Sequence, residues 1–155
     1  MRTHITVVAA LFFVLIPPLC HARLGDTMEQ CVARWGAGNS SPPPHGVEMV
    51  VSVTFQTFFK YGFTFHVGFM NGVVCYEEIK KDVEPNLTGD DVTAILNAES
   101  ASQQWTKQSQ QTDDVDAWQR SDGATAYYYH QSKEMILTSK AFQEAYTATV
   151  NHQPF

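Results

Sequence analysis

The part of the chain that most constrains its fold lies between residues 47 and 81, where apolar and polar residues alternate. Consecutive side chains of a strand point to opposite faces of a sheet, so the apolar residues at odd positions of 47–59 share one face. A second alternating run, 63–69, leads into Asn71-Gly72, and both of these residues tolerate the positive φ angles of a two-residue hairpin turn. We therefore predict three antiparallel strands with one phenylalanine-rich face buried beneath helices.

The hairpin turn sets the pairing of the second and third strands. A type I′ turn places Met70 opposite Val73 and His66 opposite Glu77. Such a histidine is either a base oriented by the carboxylate or a member of a cross-strand pair that stabilises the sheet, and we favour the cross-strand pair. The third strand is apolar on both faces, so either both faces are partly covered there or the register is shifted by one residue.

Two capping boxes predict helices on either side of these strands. Thr27 is followed by Gln30, and Thr88 by Asp91, at the spacing in which the cap and the third helical residue satisfy each other's backbone N–H groups. The remaining predicted elements are strands at 118–120, 124–131 and 135–138 and a last short helix after Ser139. The predicted fold is α+β, an antiparallel sheet covered by two or three short helices in the order α-βββ-α-ββ(β)-α.

Residues 1–22 have the composition of a cleavable secretory signal peptide. Arg2 precedes an apolar run over residues 5–16, and Cys20-His21-Ala22 offers a cleavage site. A retained membrane anchor is the alternative, which the shortness of the run disfavours. We predict a secreted or periplasmic protein whose residues 23–155 form a single α+β domain, with two loosely similar halves, 23–84 and 85–155, as a further possibility.

The charge of the chain argues against some classes of partner. Its formal net charge is −6, and it has no basic cluster. Nucleic acids and anionic membranes attract cationic surfaces, so we expect neither as a partner, and no membrane span after signal cleavage. A protein partner of unknown identity is the remaining expectation.

The sequence lacks the residue spacings that are typical of metal and cofactor sites. HxH, HxxxH and CxxC do not occur, so no metal or cofactor is predicted. Cys31 and Cys75 form either one disulfide or two buried free thiols. His66, Glu77 and Cys75 could serve a hydrolase or thiol enzyme, but no third group is evident to orient the nucleophile, so a non-enzymatic role is favoured.

Aromatic residues in the second half of the chain offer the best binding-site candidate. Tyr127, Tyr128 and Tyr129 are consecutive on a predicted strand, so only alternate tyrosines share a face. An exposed patch of tyrosine and tryptophan would suit a protein partner, because these side chains dominate the energetics of interfaces. The candidate binding residues are Trp118, Tyr127, Tyr129, His66 and Glu77.

The opening Leu24-Gly25-Asp26-Thr27, with Val32 and Gly36, resembles the Gly-x-Thr…Val…Gly start of small envelope domains of the BamE/OmlA (SmpA) type. Helices packed on a small antiparallel sheet also resemble the architecture of the β-lactamase inhibitor protein. Residues 87–137 resemble small exported bacterial proteins of uncharacterised function. These resemblances imply an exported binding or assembly domain and carry over no functional residues.

Three functions are therefore weighed for the chain. The favoured one is an exported, non-enzymatic binding or envelope-assembly module. The second is a secreted inhibitor that presents a hairpin such as Asn71-Gly72 to a target enzyme. The third is the hydrolase or thiol enzyme that would use His66, Glu77 and Cys75.

Overall fold

A computed structural model describes residues 23–50, 52–84, 86–109 and 112–151 of the chain. These residues form one eight-stranded antiparallel sheet in the order β1-β2-β3-β4-β8-β7-β6-β5, with three helices. The elements are α1 (Met28–Trp35), β1 (Asn39–Ser41), β2 (Thr54–Lys60), β3 (Phe63–Met70), β4 (Val73–Lys81), α2 (Gly89–Ala98), β5 (Trp105–Lys107), β6 (Val115–Arg120), β7 (Thr125–Tyr129), β8 (Glu134–Thr138) and α3 (Lys140–Asn151). The predicted α+β class is confirmed. The predicted signal peptide lies outside the described residues.

The chain repeats one arrangement, a helix followed by four strands that pair in sequence order. The first meander ends at β4 and the second at β8, and these two strands pair with each other. Their register runs from Tyr76 opposite Thr138 to Ile79 opposite Met135. The sheet has more strands than we predicted, because β1 and β5 have only three residues each and too little alternation to be recognised in the sequence.

Helices α1 and α2 cover one face of the sheet, which we call the α1/α2 face. Both helices begin at the predicted capping boxes, of Thr27 with Gln30 and of Thr88 with Asp91. The core on this face combines apolar side chains of the two helices with those of the central strands: Cys31, Trp35, Val92, Ile95, Phe65, Val67, Val74, Ile79, Met135 and Leu137. None of the helices within the described ranges combines the length and the apolar composition that a membrane crossing requires.

The opposite face, which we call the α3 face, has a smaller core. Phe142 of α3 packs there against Tyr76, with ring centroids 5.3 Å apart, and Phe55 of β2 lies on the other side of Tyr76. Val50 belongs to the same cluster. The predicted strand over 47–59 is too long, since β2 starts at Thr54 and the described residues before it form turns, with the Val50 N–H bonded to the Val47 oxygen and the Val53 N–H to the Val50 oxygen.

A β-bulge between β3 and β4 changes the predicted register. Met70 lies opposite Val73 as predicted, but the pairing shifts at Gly68, which lies opposite Tyr76. His66 therefore lies opposite Glu78, so the predicted pairing with Glu77 is wrong. An added Cβ at Gly68 would come within 2.8 Å of the Phe55 ring and 3.1 Å of the Tyr76 Cβ atom, so glycine allows the side chains to close over the backbone here.

Two glutamates are buried in the core of the α1/α2 face. Glu77 of β4 and Glu99, which follows α2, are both 0% exposed. Neither carboxyl oxygen of Glu77 has a hydrogen-bond partner among the described residues, whereas Oε2 of Glu99 accepts a bond of 3.1 Å from the Leu24 N–H. An isolated buried carboxylate is far more costly than a buried neutral carboxyl group, so these groups favour the protonated form.

The other charges near this pair come from the α1 region and from β6. Asp26 and Arg34 of the α1 region form an ion pair, and Arg120 of β6 donates to the backbone oxygen of Glu99. Burial raises the pKa of Glu77 well above its ordinary value, and the neighbouring Glu99 carboxyl raises it further. Burial likewise raises the pKa of Glu99 to about 8, although the Leu24 N–H and Arg120 oppose the shift.

Gly68→Ala is expected to destabilise the fold, because the new methyl group must displace the Phe55 ring or the backbone of β4. Overpacking of this kind lowers the free energy of unfolding by about 1–3 kcal/mol. Gly89→Ala is the matched control, since nothing lies within 4 Å of an added Cβ at the first residue of α2, and alanine favours helix. Urea unfolding of both variants measures the difference; equal stabilities would contradict the close packing at Gly68.

The buried glutamates predict that the free energy of unfolding falls as pH rises from 5 to 8. A carboxyl group whose folded pKa is raised stabilises the protein fully below its unfolded value of 4.5, and this contribution is lost as pH rises through the folded value of about 8. For Glu99 alone the loss between pH 5 and 8 is on the order of 3 kcal/mol. Carboxylates whose pKa is lowered, such as Asp91 and Asp122, titrate below this window.

Glu99→Gln tests the origin of this pH dependence. The amide oxygen still accepts from the Leu24 N–H, but the side chain no longer ionises. Urea unfolding at pH 5 and pH 8 should show a loss that is smaller than the wild-type loss by the Glu99 share, on the order of 3 kcal/mol, while the loss that comes from Glu77 remains. Glu144→Gln, at an exposed position of α3, is the control and should keep the wild-type loss. A wild-type protein equally stable at both pH values would contradict the raised pKa values.

Candidate binding groove on the α3 face

A groove lined by aromatic side chains opens on the α3 face, and we call it the tyrosine groove. Its volume is about 450 Å³, and it lies between α3, residues 45–47 and strands β4, β7 and β8. Its aromatic lining consists of Tyr76, Tyr127, Tyr129, Phe142 and Tyr146. Strand alternation explains the contribution of β7, since Tyr127 and Tyr129 point into the groove while Tyr128 points to the other face.

The position of Tyr128 shows how the tyrosines of β7 are divided between the two faces of the sheet. Its ring is buried in the core of the α1/α2 face, and its hydroxyl donates a hydrogen bond of 2.8 Å to the Leu87 backbone oxygen. Tyr127 and Tyr129 are only half-buried. One side of the strand therefore serves the core and the other remains open to a ligand.

A row of paired acidic and basic side chains lies beside the groove on the same face. Glu78 accepts a weak hydrogen bond of 3.4 Å from the Tyr76 hydroxyl and forms an ion pair with Lys80. The Nζ atom of Lys80 also lies 3.1 Å from a carboxylate oxygen of Glu134 on β8. The pKa of Tyr76 is raised by burial and, to a smaller extent, by the charge of Glu78. The pKa of Tyr129 is raised by burial and by the neighbouring Tyr127. Both phenols are therefore protonated at neutral pH and can donate hydrogen bonds.

His66 and Glu77 lie on opposite faces of the sheet. His66 is on the α3 face, where its Nε2 is 3.4 Å from the Thr57 hydroxyl across the β2–β3 pair. Glu77 is one of the two buried acids of the α1/α2 face. The extra residue of the bulge separates them, so they do not form the predicted pair.

The two cysteines are free thiols in different cores, so the predicted disulfide alternative is wrong. Cys31 of α1 packs on the α1/α2 face, whereas Cys75 packs on the α3 face and donates a hydrogen bond of 3.3 Å to the Gly68 backbone oxygen. Burial raises the pKa of each thiol to about 12. Cys75 is thus a neutral core residue, and the structure does not gather it with His66 and Glu77 into one site.

Trp118 lies on the α1/α2 face, separated from the tyrosine groove by the sheet. It is opposite Ala126 on β7, whereas Tyr127 is opposite Ala117 on β6. The single aromatic patch that we predicted from Trp118 and the tyrosines is therefore wrong. Trp118 belongs instead to a second groove that it shares with Trp105.

The hairpin between β2 and β3 has an exposed aromatic tip that sequence reasoning missed. Tyr61 is 77% exposed and has a φ angle of 52°, which is uncommon for a bulky residue. Phe59 is 59% exposed, and Val83, which approaches Gly62, is also exposed. The sequence signal was the break at Lys60-Tyr61-Gly62, which we interpreted only as a turn.

Residues suited to metal binding are not clustered in the described ranges. Among these residues, no group of three or more His, Cys, Asp or Glu side chains is arranged to hold a metal ion. His45 lies at the edge of the tyrosine groove, where its Nδ1 is 3.0 Å from a Glu48 carboxylate oxygen, and both side chains are exposed.

Comparisons with known proteins give a distant structural likeness. No family model matches the chain, and no curated protein matches it at a significant level. The chain is similar to the crystal structure of a cysteine-rich secretory protein from Staphylococcus aureus subsp. aureus Mu50, with 14% sequence identity and a TM-score of 0.47. The match covers 76% of this chain and 44% of that chain, so this chain spans less than half of the staphylococcal protein.

Proposed function

We propose that the protein is an exported, non-enzymatic binding module that holds a short apolar segment of a protein partner in the tyrosine groove. The observation that carries this proposal is the convergence of five aromatic side chains from β4, β7 and α3 on one open groove. Tyrosine is enriched among the residues that dominate binding energy, and it loses little conformational entropy on binding. Export rests on the predicted signal peptide.

The chemistry of the groove supports binding rather than catalysis. Its aromatic walls are accompanied by neutral hydrogen-bonding groups, such as Thr125, Thr138 and Gln143. Thr125 and Thr138 bond to each other at 2.9 Å, and Gln143 donates to the Gly123 backbone oxygen at 3.2 Å. These groups hold the walls of the groove in place and can orient a bound ligand by hydrogen bonds. None of the three is a strong acid or base.

The charge of the chain favours a basic partner. The formal net charge is −6, and two glutamates, Glu78 and Glu134, lie beside the groove with Lys80 between them. Complementary charge raises the rate of association and suppresses wrong partners more than it raises affinity. We therefore expect the bound segment to combine apolar side chains with flanking lysine or arginine.

Selection of peptides from a random library on the purified protein tests this proposal. The selected peptides should carry apolar and basic residues. Replacing Tyr127 or Tyr146 by Ser should weaken their binding at least about tenfold, because each loss removes an aromatic contact of the groove. Fluorescence anisotropy measures the dissociation constants, and the unfolding midpoint of each variant reports that it is folded.

Tyr61→Ser is the matched control for the groove variants. It removes a tyrosine of equal size from the distant hairpin tip and should leave peptide affinity unchanged. Peptides that keep their affinity for the Tyr127 and Tyr146 variants would contradict binding in the tyrosine groove.

A second candidate function, a secreted inhibitor, is favoured by the β2–β3 hairpin. We predicted an inhibitory hairpin loop such as Asn71-Gly72. Both residues have the positive φ angles of the expected turn, but neither offers a large side chain. Tyr61 is a better anchor, because a rigid two-residue turn presents it to solvent beside Phe59. Insertion of such an aromatic into the pocket of an enzyme is a common way to gain affinity.

Inhibition assays against a panel of extracellular proteases and glycosidases test the inhibitor function. If Tyr61 is the anchor, Tyr61→Ser should raise the inhibition constant about a hundredfold, as loss of a central aromatic does at interfaces. Tyr129→Ser should leave the constant unchanged. An inhibition constant that does not respond to Tyr61→Ser, or no inhibition of any enzyme of the panel, would contradict this function.

A further inference from the structure

A second groove lies on the α1/α2 face, and we call it the tryptophan groove. Its volume is about 600 Å³, within the usual range of small-ligand sites, and it lies between the end of α2 and strands β5 and β6. Trp105 and Trp118 supply its aromatic surface, while the polar surface includes Asn97, Gln103 and Gln104. Every polar side chain that lines this groove is neutral.

The loop between α2 and β5, which carries Gln103 and Gln104, is held in a fixed shape. Arg120 donates a hydrogen bond to the backbone oxygen of Glu99 at the start of the loop. The Ser121 hydroxyl donates a bond of 2.7 Å to the side-chain oxygen of Gln103. Ala101 and Ser102 both have positive φ angles, 46° and 67°, and such conformations persist only where the surroundings impose them. The groove is therefore formed before any ligand arrives.

The charged groups near the tryptophans are already neutralised. The guanidinium carbon of Arg120 lies 5.2 Å from the centroid of the Trp105 ring, and the Nζ atom of Lys107 lies 5.7 Å from the centroid of the Trp118 ring. Arg120 pairs with Asp122 at 2.8 Å, and Lys107 pairs with Asp116 at 2.7 Å. An anionic ligand would have to displace one of these carboxylates, whereas a neutral ligand would not.

We propose that the tryptophan groove binds a neutral saccharide chain. The C–H face of a pyranose ring is apolar and packs on an aromatic ring, while its hydroxyl groups both donate and accept hydrogen bonds. Amide and hydroxyl side chains also have both capacities, so the side chains of Asn97, Gln103 and Gln104 match the edge of such a ring. This site is separate from the tyrosine groove, which lies across the sheet.

Titration with neutral oligosaccharides tests the proposal. The probes are hexasaccharides of β-1,4-linked glucose, α-1,4-linked glucose and β-1,4-linked N-acetylglucosamine, with a negatively charged oligogalacturonide as the comparison. The chain has three tryptophans, and Trp35 is buried, so a change of tryptophan fluorescence reports on the groove. At least one neutral probe should bind with a dissociation constant below about 1 mM.

Variants locate the bound saccharide. Trp118→Ala should weaken binding about tenfold, and Gln104→Ala, at an exposed position that does not support the core, about threefold. Tyr129→Ala in the tyrosine groove is the control and should leave binding unchanged; calorimetry gives the constants for all three. The proposal would be overturned if no neutral probe binds or if the oligogalacturonide binds equally tightly. It would also be overturned if both groove variants keep the wild-type affinity.

Discussion

The pairing of β4 with β8 is the interaction on which the rest of the structure depends. It joins two four-stranded meanders into one sheet, with Tyr76 opposite Thr138 and Ile79 opposite Met135. β4 thereby gains a neighbour on each edge and helices over both faces, and residues 74–79 are all buried. The residues in the middle of a strand in this position must all be buried. The protonated carboxyl of Glu77 and the ion-paired carboxylate of Glu78 are two solutions to that requirement.

The bulge opposite Gly68 decides which side chains of β4 reach each face. In a regular ladder Glu77 would lie beside His66 on the α3 face, and Tyr76 would enter the core under α1. The extra residue, Cys75, reverses this assignment. Tyr76 becomes a wall of the tyrosine groove, and Glu77 is enclosed near Glu99. The groove and the buried acid pair therefore have a common cause, which is one inserted residue in the central strand.

Local signals in the sequence predicted the elements better than their arrangement. The capping boxes and the Asn71-Gly72 turn depend on residues a few positions apart, and the structure has both. The alternation of Tyr127 and Tyr129 also predicted that they share a face. The apolar residues on both faces of the third strand left a register shift of one residue open, but its place at Gly68 depends on packing between strands, such as that of Phe55 over Gly68. The aromatic wall contributed by α3 was equally hidden, since only the packing of that helix on β4 and β8 brings Phe142 to the tyrosines.

The strand pair β6–β7 gives the sheet a groove on each face. Across this pair, Trp118 lies opposite Ala126 and Tyr127 lies opposite Ala117. Each large aromatic ring therefore has an alanine as its cross-strand neighbour in this pair. Since consecutive residues alternate in direction, the Trp118 ring lies on the α1/α2 face and the Tyr127 ring on the α3 face. One pair of strands thus contributes an aromatic ring to each of two grooves of different chemistry on opposite sides of one sheet.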